Sequence, residues 1–189
     1  MSYTVLVRHV LHQHFHLKVS NKERGLWAFF LAFCLSFTIG LALGFEYIGG
    51  YFPCHLCLIE RFPYYVSIPL LILAILGSWF CRTSFWVQLL LWCVFILMAI
   101  SFVLAAYHTG VEYGFWPSPP SCNSNTVMLT TDINQLLNDL DHIHPPSCSE
   151  VQQRFLLLSF AGWNMIASLF YMLVSLYAAS KGILSDHQK

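Results

Sequence analysis

The chain has 189 residues, 57% of them hydrophobic and 10% charged, with nine Lys or Arg balanced by nine Asp or Glu. Soluble domains carry charge on about a quarter of their residues, so this composition excludes a single water-soluble domain and indicates an integral membrane protein. The zero net charge leaves no basic patch to neutralise phosphates, which excludes a nucleic-acid partner.

The few charges fall between apolar runs. Arg24 and Glu46 bracket the first run, Arg61 and Arg82 the second, Arg82 and Glu112 the third, Arg154 and Lys181 the fourth. Each run holds the ~20 apolar residues that cross a bilayer core as helix. The predicted fold is an all-α integral membrane protein, a bundle of four transmembrane helices near 26–45, 64–81, 85–106 and 155–179. An N-terminal extension (1–24) precedes the bundle domain (25–181), which includes loops 46–61 and 107–153, and a tail (182–189) follows. Ala42-Leu43-Gly44 has the small-x-small form of a cleavage site. The first apolar run is longer than the ~7–15 residues of a signal-peptide core, so an uncleaved span is expected.

Lysine and arginine set the orientation. Arg8, Lys18, Lys22 and Arg24 precede the first span, Arg82 lies between the second and third, and Lys181 and Lys189 follow the fourth. The two opposite loops carry only Arg61 and Arg154, both at membrane edges. The positive-inside rule then predicts cytoplasmic termini and puts both loops on the outer face.

In chain order, residues 1–24 are polar and carry His9, His12, His14 and His16. His-x-His-x-His can bind metal, but no cysteine or carboxylate stands beside the cluster to complete a site. The segment reads as a flexible extension. In the first span, Gly40, Ala42 and Gly44 offer small surfaces for close helix approach. Cys34, Cys81 and Cys93 read as small buried hydrophobes.

The second span is preceded by Pro53-Cys54-His55-Leu56-Cys57-Leu58-Ile59-Glu60-Arg61 and contains Pro63 and Pro69. If helix starts near Cys54, Cys57 lies in the first turn and Arg61 one turn on, on the same face. Exposed backbone N–H groups and the guanidinium would both favour a thiolate at Cys57. Glu60 offers Arg61 a simpler role, as an ion-pair partner.

The third span ends in Tyr107, His108, Glu112, Tyr113 and Trp116, an aromatic belt. Pro117, Pro119 and Pro120 interrupt regular structure before Cys122. From Leu129 to Ile143, apolar residues recur at helical spacing, with Asp132 and Gln135 as a capping pair and Pro145-Pro146 as the stop. A short amphipathic helix lying on the membrane is predicted there. Cys148 and Glu150 follow, ahead of Arg154 and the fourth span.

Four of the seven cysteines, Cys54, Cys57, Cys122 and Cys148, thus fall on the outer side. Outside a cytoplasmic membrane, oxidation is the default. Cys54–Cys57 with Cys122–Cys148 is the simplest of the three possible pairings. Cys-x-x-Cys pairs are characteristically redox-active. The Cys122–Cys148 pair closes a long loop, which leaves structural and catalytic roles open. Covalent haem attachment needs a histidine directly after the second cysteine, where this chain has Leu58. Zinc would need two further ligands, for which His55 and His108 are candidates that the spacing does not demand.

Cys54-x-x-Cys57-x-x-Glu60-Arg61 after span one, Tyr107-His108, the run from Trp116 to Cys122, and Cys148 ahead of span four together resemble the disulfide bond formation protein B (DsbB) family of quinone-dependent membrane thiol oxidases. The resemblance covers about residues 25–180 and none of the histidine-rich N-terminus. Vitamin K epoxide reductase-like proteins use similar chemistry, but their loop cysteines precede the Cys-x-x-Cys. The resemblance implies a bacterial inner membrane with periplasmic loops, and a DsbA-type thioredoxin-fold partner that attacks the Cys122–Cys148 disulfide at Cys122. Freed Cys148 would exchange with Cys54 and release Cys57 towards ubiquinone or menaquinone. Arg61 would stabilise that thiolate and polarise the quinone, with His108 and Glu60 as further cofactor-site residues. A non-catalytic four-span scaffold with two structural disulfides is the competing expectation. Transport is disfavoured, because the spans offer mainly hydroxyls, cysteines and Asn164 rather than mid-span charges.

Overall fold

The computed structural model describes residues 3–80, 84–122, 147–149, 154–156 and 158–186. Four long helices dominate: α1 (Tyr3–Tyr47), α2 (His55–Phe80), α3 (Ser84–Glu112) and α4 (Phe160–Asp186). Each contains a stretch long and apolar enough to cross a membrane: Lys22–Tyr47, His55–Phe80, Phe85–Glu112 and Phe160–Ser180. The all-α four-span bundle expected from the charge gaps is therefore the observed fold.

Several boundaries differ from expectation. α1 runs unbroken back to Tyr3, whereas a flexible extension was expected over 1–24. Residues 3–24 contain neither glycine nor proline, so nothing stops the helix before the membrane. Its 45 residues reach ~67 Å at 1.5 Å per residue, about twice the ~30 Å hydrocarbon core. α2 begins at His55, well ahead of residue 64, and passes through Pro63 and Pro69 as one helix. Each proline removes one backbone donor, a loss that this helix accommodates. α3 extends to Glu112 and ends in a Schellman closure: Phe115 N–H donates to the Gly110 carbonyl at 2.9 Å and Gly114 N–H to Val111 at 3.1 Å. Gly114 supplies the left-handed backbone (φ 74°) that this turn requires.

The fourth span starts five residues later than expected. Before it, β1 (Arg154–Phe155) and β2 (Leu158–Ser159) form a minimal antiparallel hairpin, pairing Arg154 with Ser159 and Phe155 with Leu158. Ser159 then caps α4 by accepting the Gly162 N–H at 3.1 Å. The amphipathic helix expected over 129–143, and Cys81, Arg82 and Glu150, lie outside the described residues.

The helices form a ring in which α3 packs most extensively on α4 and α2, and α1 rests on α2 and more lightly on α4. Leu31 and Leu35 of α1, Leu71 of α2, Leu91 and Met98 of α3 and Tyr171 of α4 meet in one core. No more than a third of any span's most apolar window is buried; Phe33, Phe37, Ile96, Val103 and Leu173 point outward, as expected of a lipid-facing surface. Small residues matter at a different place from the one expected. A Cβ at Gly40 or Gly44 would meet nothing within 4 Å, whereas one at Gly25 would collide with the Ser78 side chain of α2. Gly25 is therefore where α1 and α2 approach most closely on a glycine.

Candidate active site

Because α2 starts at His55, Cys54 is its cap residue. The Leu58 N–H donates to the Cys54 carbonyl at 3.2 Å, and the Cys57 N–H donates to Cys54 Sγ at 3.3 Å. A serine or aspartate oxygen usually accepts that third-position N–H; here a sulfur does. The helix terminus thus supports Cys54, where the sequence pointed to Cys57. The two sulfurs lie 2.8 Å apart. Hydrogen bonding from Cys57, and more weakly from His108 and the backbone, holds the Cys54 thiol well below the ordinary thiol range against the opposing push of burial.

The histidine comes from the last turns of α3. His108 Nε2 is 3.7 Å from Cys54 Sγ, and its Nδ1 pairs with Glu60 Oε1 at 2.7 Å. Asn164 of α4 donates to the second Glu60 oxygen at 2.6 Å and accepts from the Tyr64 hydroxyl at 2.7 Å. His108 and Glu60 are both nearly inaccessible, with side chains 3% and 6% exposed. A buried carboxylate needs such a set of partners to remain in place. Three helices therefore converge on Glu60.

Arg61 does not take Glu60 as its partner. Successive helix residues point about 100° apart, so Glu60 faces α3 and α4 while Arg61 turns towards α1 and pairs with Glu46. A guanidinium has five donors, and this one ion pair does not exhaust them. Glu112 of α3 is held by the Ser159 hydroxyl, tying the end of α3 to the start of α4. His55, the other zinc candidate, is exposed.

The second cysteine pair closes over the first. Cys122, in a 3-10 turn over Pro120–Cys122, is disulfide-bonded to Cys148, with Cα atoms 5.3 Å apart. Cys54, Leu56, Cys122 and Cys148 form one buried cluster, with Cys57 packed against it. Beside it, Trp116 stacks on Tyr107 at 5.9 Å and donates to the Tyr107 carbonyl at 2.8 Å. The indole lies against Gly110, where a side chain would displace it. Cys34 and Cys93 are free and half-buried within the spans.

Of the residues expected from sequence, the structure brings the four cysteines, Glu60 and His108 together and turns Arg61 aside onto Glu46. Sequence reasoning did not assign Glu46, Asn164 or Tyr64 to the site. Asn164 was visible as an amide within an apolar span, and Glu46 as the charge closing the first run; neither signal specified a partner.

A capped, anion-stabilising sulfur pair in contact with a disulfide is equipped for thiol–disulfide exchange, and its setting at the mouth of a four-span bundle defines a membrane thiol oxidoreductase. Comparison with known proteins specifies it further: the profile of the family described as "Disulfide bond formation protein DsbB" matches residues 23–178. The chain belongs to that family. It is similar to disulfide bond formation protein B of Nitrosococcus oceani, at 25% identity over 154 residues covering 80% of this chain and 89% of the relative. It is also similar to an uncharacterized protein of Rickettsia prowazekii, at 28% identity over 126 residues covering 66% and 69% respectively. Family membership gives the chain a thiol-oxidase role in disulfide bond formation, in a multi-pass membrane protein, and favours that role over the scaffold reading.

Proposed function

We infer that the protein reoxidises a periplasmic thioredoxin-fold thiol oxidase of the DsbA type and passes the electrons through its two cysteine pairs to membrane quinone. The observation that carries this reading is the packing of Cys54 against the Cys122–Cys148 disulfide. The reduced partner attacks Cys122, forming a mixed disulfide and freeing Cys148; the partner's second thiol then resolves that bond and leaves oxidised. Cys148 attacks Cys54, opening the Cys54–Cys57 disulfide, and Cys122 closes the loop disulfide again. The reduced Cys54–Cys57 pair holds the two electrons.

The residues around Cys57 suit a quinone. Cys57 and Arg61 are each only partly buried and stand one turn apart beside Leu58 and Phe62, which are 50% and 66% exposed on an outward row of α2. A ring reaching this edge from lipid would meet apolar surface, a thiol and a guanidinium together. When bound, ubiquinone or menaquinone supplies the acceptor of two electrons and two protons. Arg61 would orient its carbonyl, and His108, between Cys54 and Glu60, would take up the proton Cys54 releases. Glu60 would hold His108 in register. Cytoplasmic termini accord with the lysine and arginine distribution, and a bacterial inner membrane is what membership of the family implies.

The test is quinone reduction by the purified, detergent-solubilised chain supplied with a reduced DsbA-type dithiol. Catalytic quinol formation that requires both cysteine pairs is expected. No turnover with several quinones and partners, with both disulfides intact, would contradict the proposal.

A further inference from the structure

The inner redox pair also has most of the parts of a soft-metal site. The donor atoms of Cys54, Cys57 and His108 lie within 4.8 Å of one another. Zn2+ binds thiolate at ~2.3 Å and imidazole at ~2.0–2.1 Å, so tetrahedral geometry asks for donor separations of about 3.6–3.8 Å. Cys54 Sγ and His108 Nε2 already stand 3.7 Å apart. The two sulfurs, at 2.8 Å, would need to open by about 1 Å to reach that separation. A torsion of the half-buried Cys57 side chain supplies such a movement.

Two further features point to a cation. Glu60 holds His108 at Nδ1, at 2.7 Å, which leaves Nε2 directed at the sulfur; Glu60 is itself fixed by Asn164 at 2.6 Å. A histidine braced by a carboxylate on its other nitrogen is the usual outer support of a metal ligand. Charge agrees as well. Two thiolates and one divalent ion sum to zero, so the filled site adds no net charge to a buried location, and the nearby Arg61 is already paired with Glu46.

We propose that, when reduced, Cys54, Cys57 and His108 capture one thiophilic divalent ion such as Zn2+ or Cd2+, with Glu60 as outer support and the fourth position left to water. The ion displaces the Cys57 thiol proton and the proton that His108 took from Cys54; no electron moves. The disulfide form offers no thiolates and binds none. Thiophilic metal would therefore trap the pair in its reduced state and block its reoxidation. The binding itself does not depend on the quinone or partner assignments, so it is measured without either.

The experiment uses the full chain in detergent with Cys122→Ala and Cys148→Ala, which removes the adjoining sulfurs as competing ligands. Cd2+ is titrated into reduced and oxidised protein, followed by the thiolate-to-metal charge-transfer band. One ion per reduced chain is expected, with no band in the oxidised chain. Cys57→Ser should abolish the band, and Glu60→Gln should weaken binding by ~10-fold, within the range seen for outer-shell partners. Binding that survives Cys57→Ser, or no band in the reduced parent, would overturn the proposal. Substituting His108 leaves Glu60 buried without its partner, so its ligation is read without substituting it. X-ray absorption at the zinc edge of the reduced parent should show two sulfurs and one imidazole nitrogen; a shell of sulfur without imidazole would refute the site.

Discussion

Cys54 and Cys57 are supported by regular structure: a helix cap, a first-turn N–H and a histidine braced by a carboxylate from the same helix. Cys122 and Cys148 come from a three-residue 3-10 turn and a bend 26 residues further along the chain, and meet as a disulfide. The first pair is surrounded by groups that stabilise a sulfur anion; the second is brought into contact with it. The contrast suggests a division of labour. A sulfur with a lowered pKa leaves more readily in exchange, so the tuned pair suits electron storage and release, and the loop pair suits reaching a protein partner.

The strongest way to break this comparison is to remove a sulfur from the tuned pair. Cys57→Ser should reduce quinone turnover to the uncatalysed background, because no Cys54–Cys57 disulfide can re-form. Normal turnover in that variant would remove the Cys-x-x-Cys from the mechanism.

A smaller effect sharpens the electrostatic side of the contrast. In the reduced protein, Cys54 has its pKa depressed by Cys57 and then by His108, so it stays a thiolate as pH falls below the ordinary thiol range. At about pH 6, roughly two and a half units under the usual thiol pKa of ~8.5, iodoacetamide should alkylate Cys54 far faster than Cys34 or Cys93. His108→Asn keeps an N–H near Glu60 but withdraws the ring from Cys54, so the midpoint of the rate profile should move up, slowing the reaction ~10-fold for each unit moved at pH values below the midpoint. An unmoved midpoint would show that His108 does not tune Cys54.

Arg61→Met should raise the apparent quinone KM by ~10-fold or more, the order expected for losing one charge-assisted contact of ~1.5–3 kcal/mol, while leaving exchange between the cysteine pairs intact. Unchanged kinetics would leave Arg61 only its ion pair with Glu46. The mildest prediction lies outside both pairs. Gly25→Leu would overpack the α1–α2 crossing at Ser78 and should cost about 1–3 kcal/mol. A lower thermal midpoint in detergent is expected, with unchanged disulfide connectivity.

These contacts explain which parts of the molecule could be read from sequence. Spans were legible because the charges bracketing them are local signals, and the cysteines because their spacing and the sides of the loops are too. The charges at Glu60 and Arg61 mark only where the apolar run of α2 begins, near 64, whereas the helix itself starts earlier, at His55 behind the Cys54 cap. Pairings between helices were not legible. Glu46 and Arg61 are 15 residues apart, Glu60 and His108 48, and Glu60 and Asn164 104. Each depends on how one helix is rotated against another, and no periodicity in a single helix fixes that. The same reason moved the close approach of α1 from Gly40 and Gly44 to Gly25.

The central claim is that the two pairs exchange directly through Cys54 and Cys148. In the Cys57→Ala, Cys122→Ala double variant, one sulfur of each pair remains. Gentle oxidation followed by peptide mapping should recover a single intramolecular Cys54–Cys148 disulfide. Recovery of both residues as thiols under conditions that oxidise the intact pairs would contradict it.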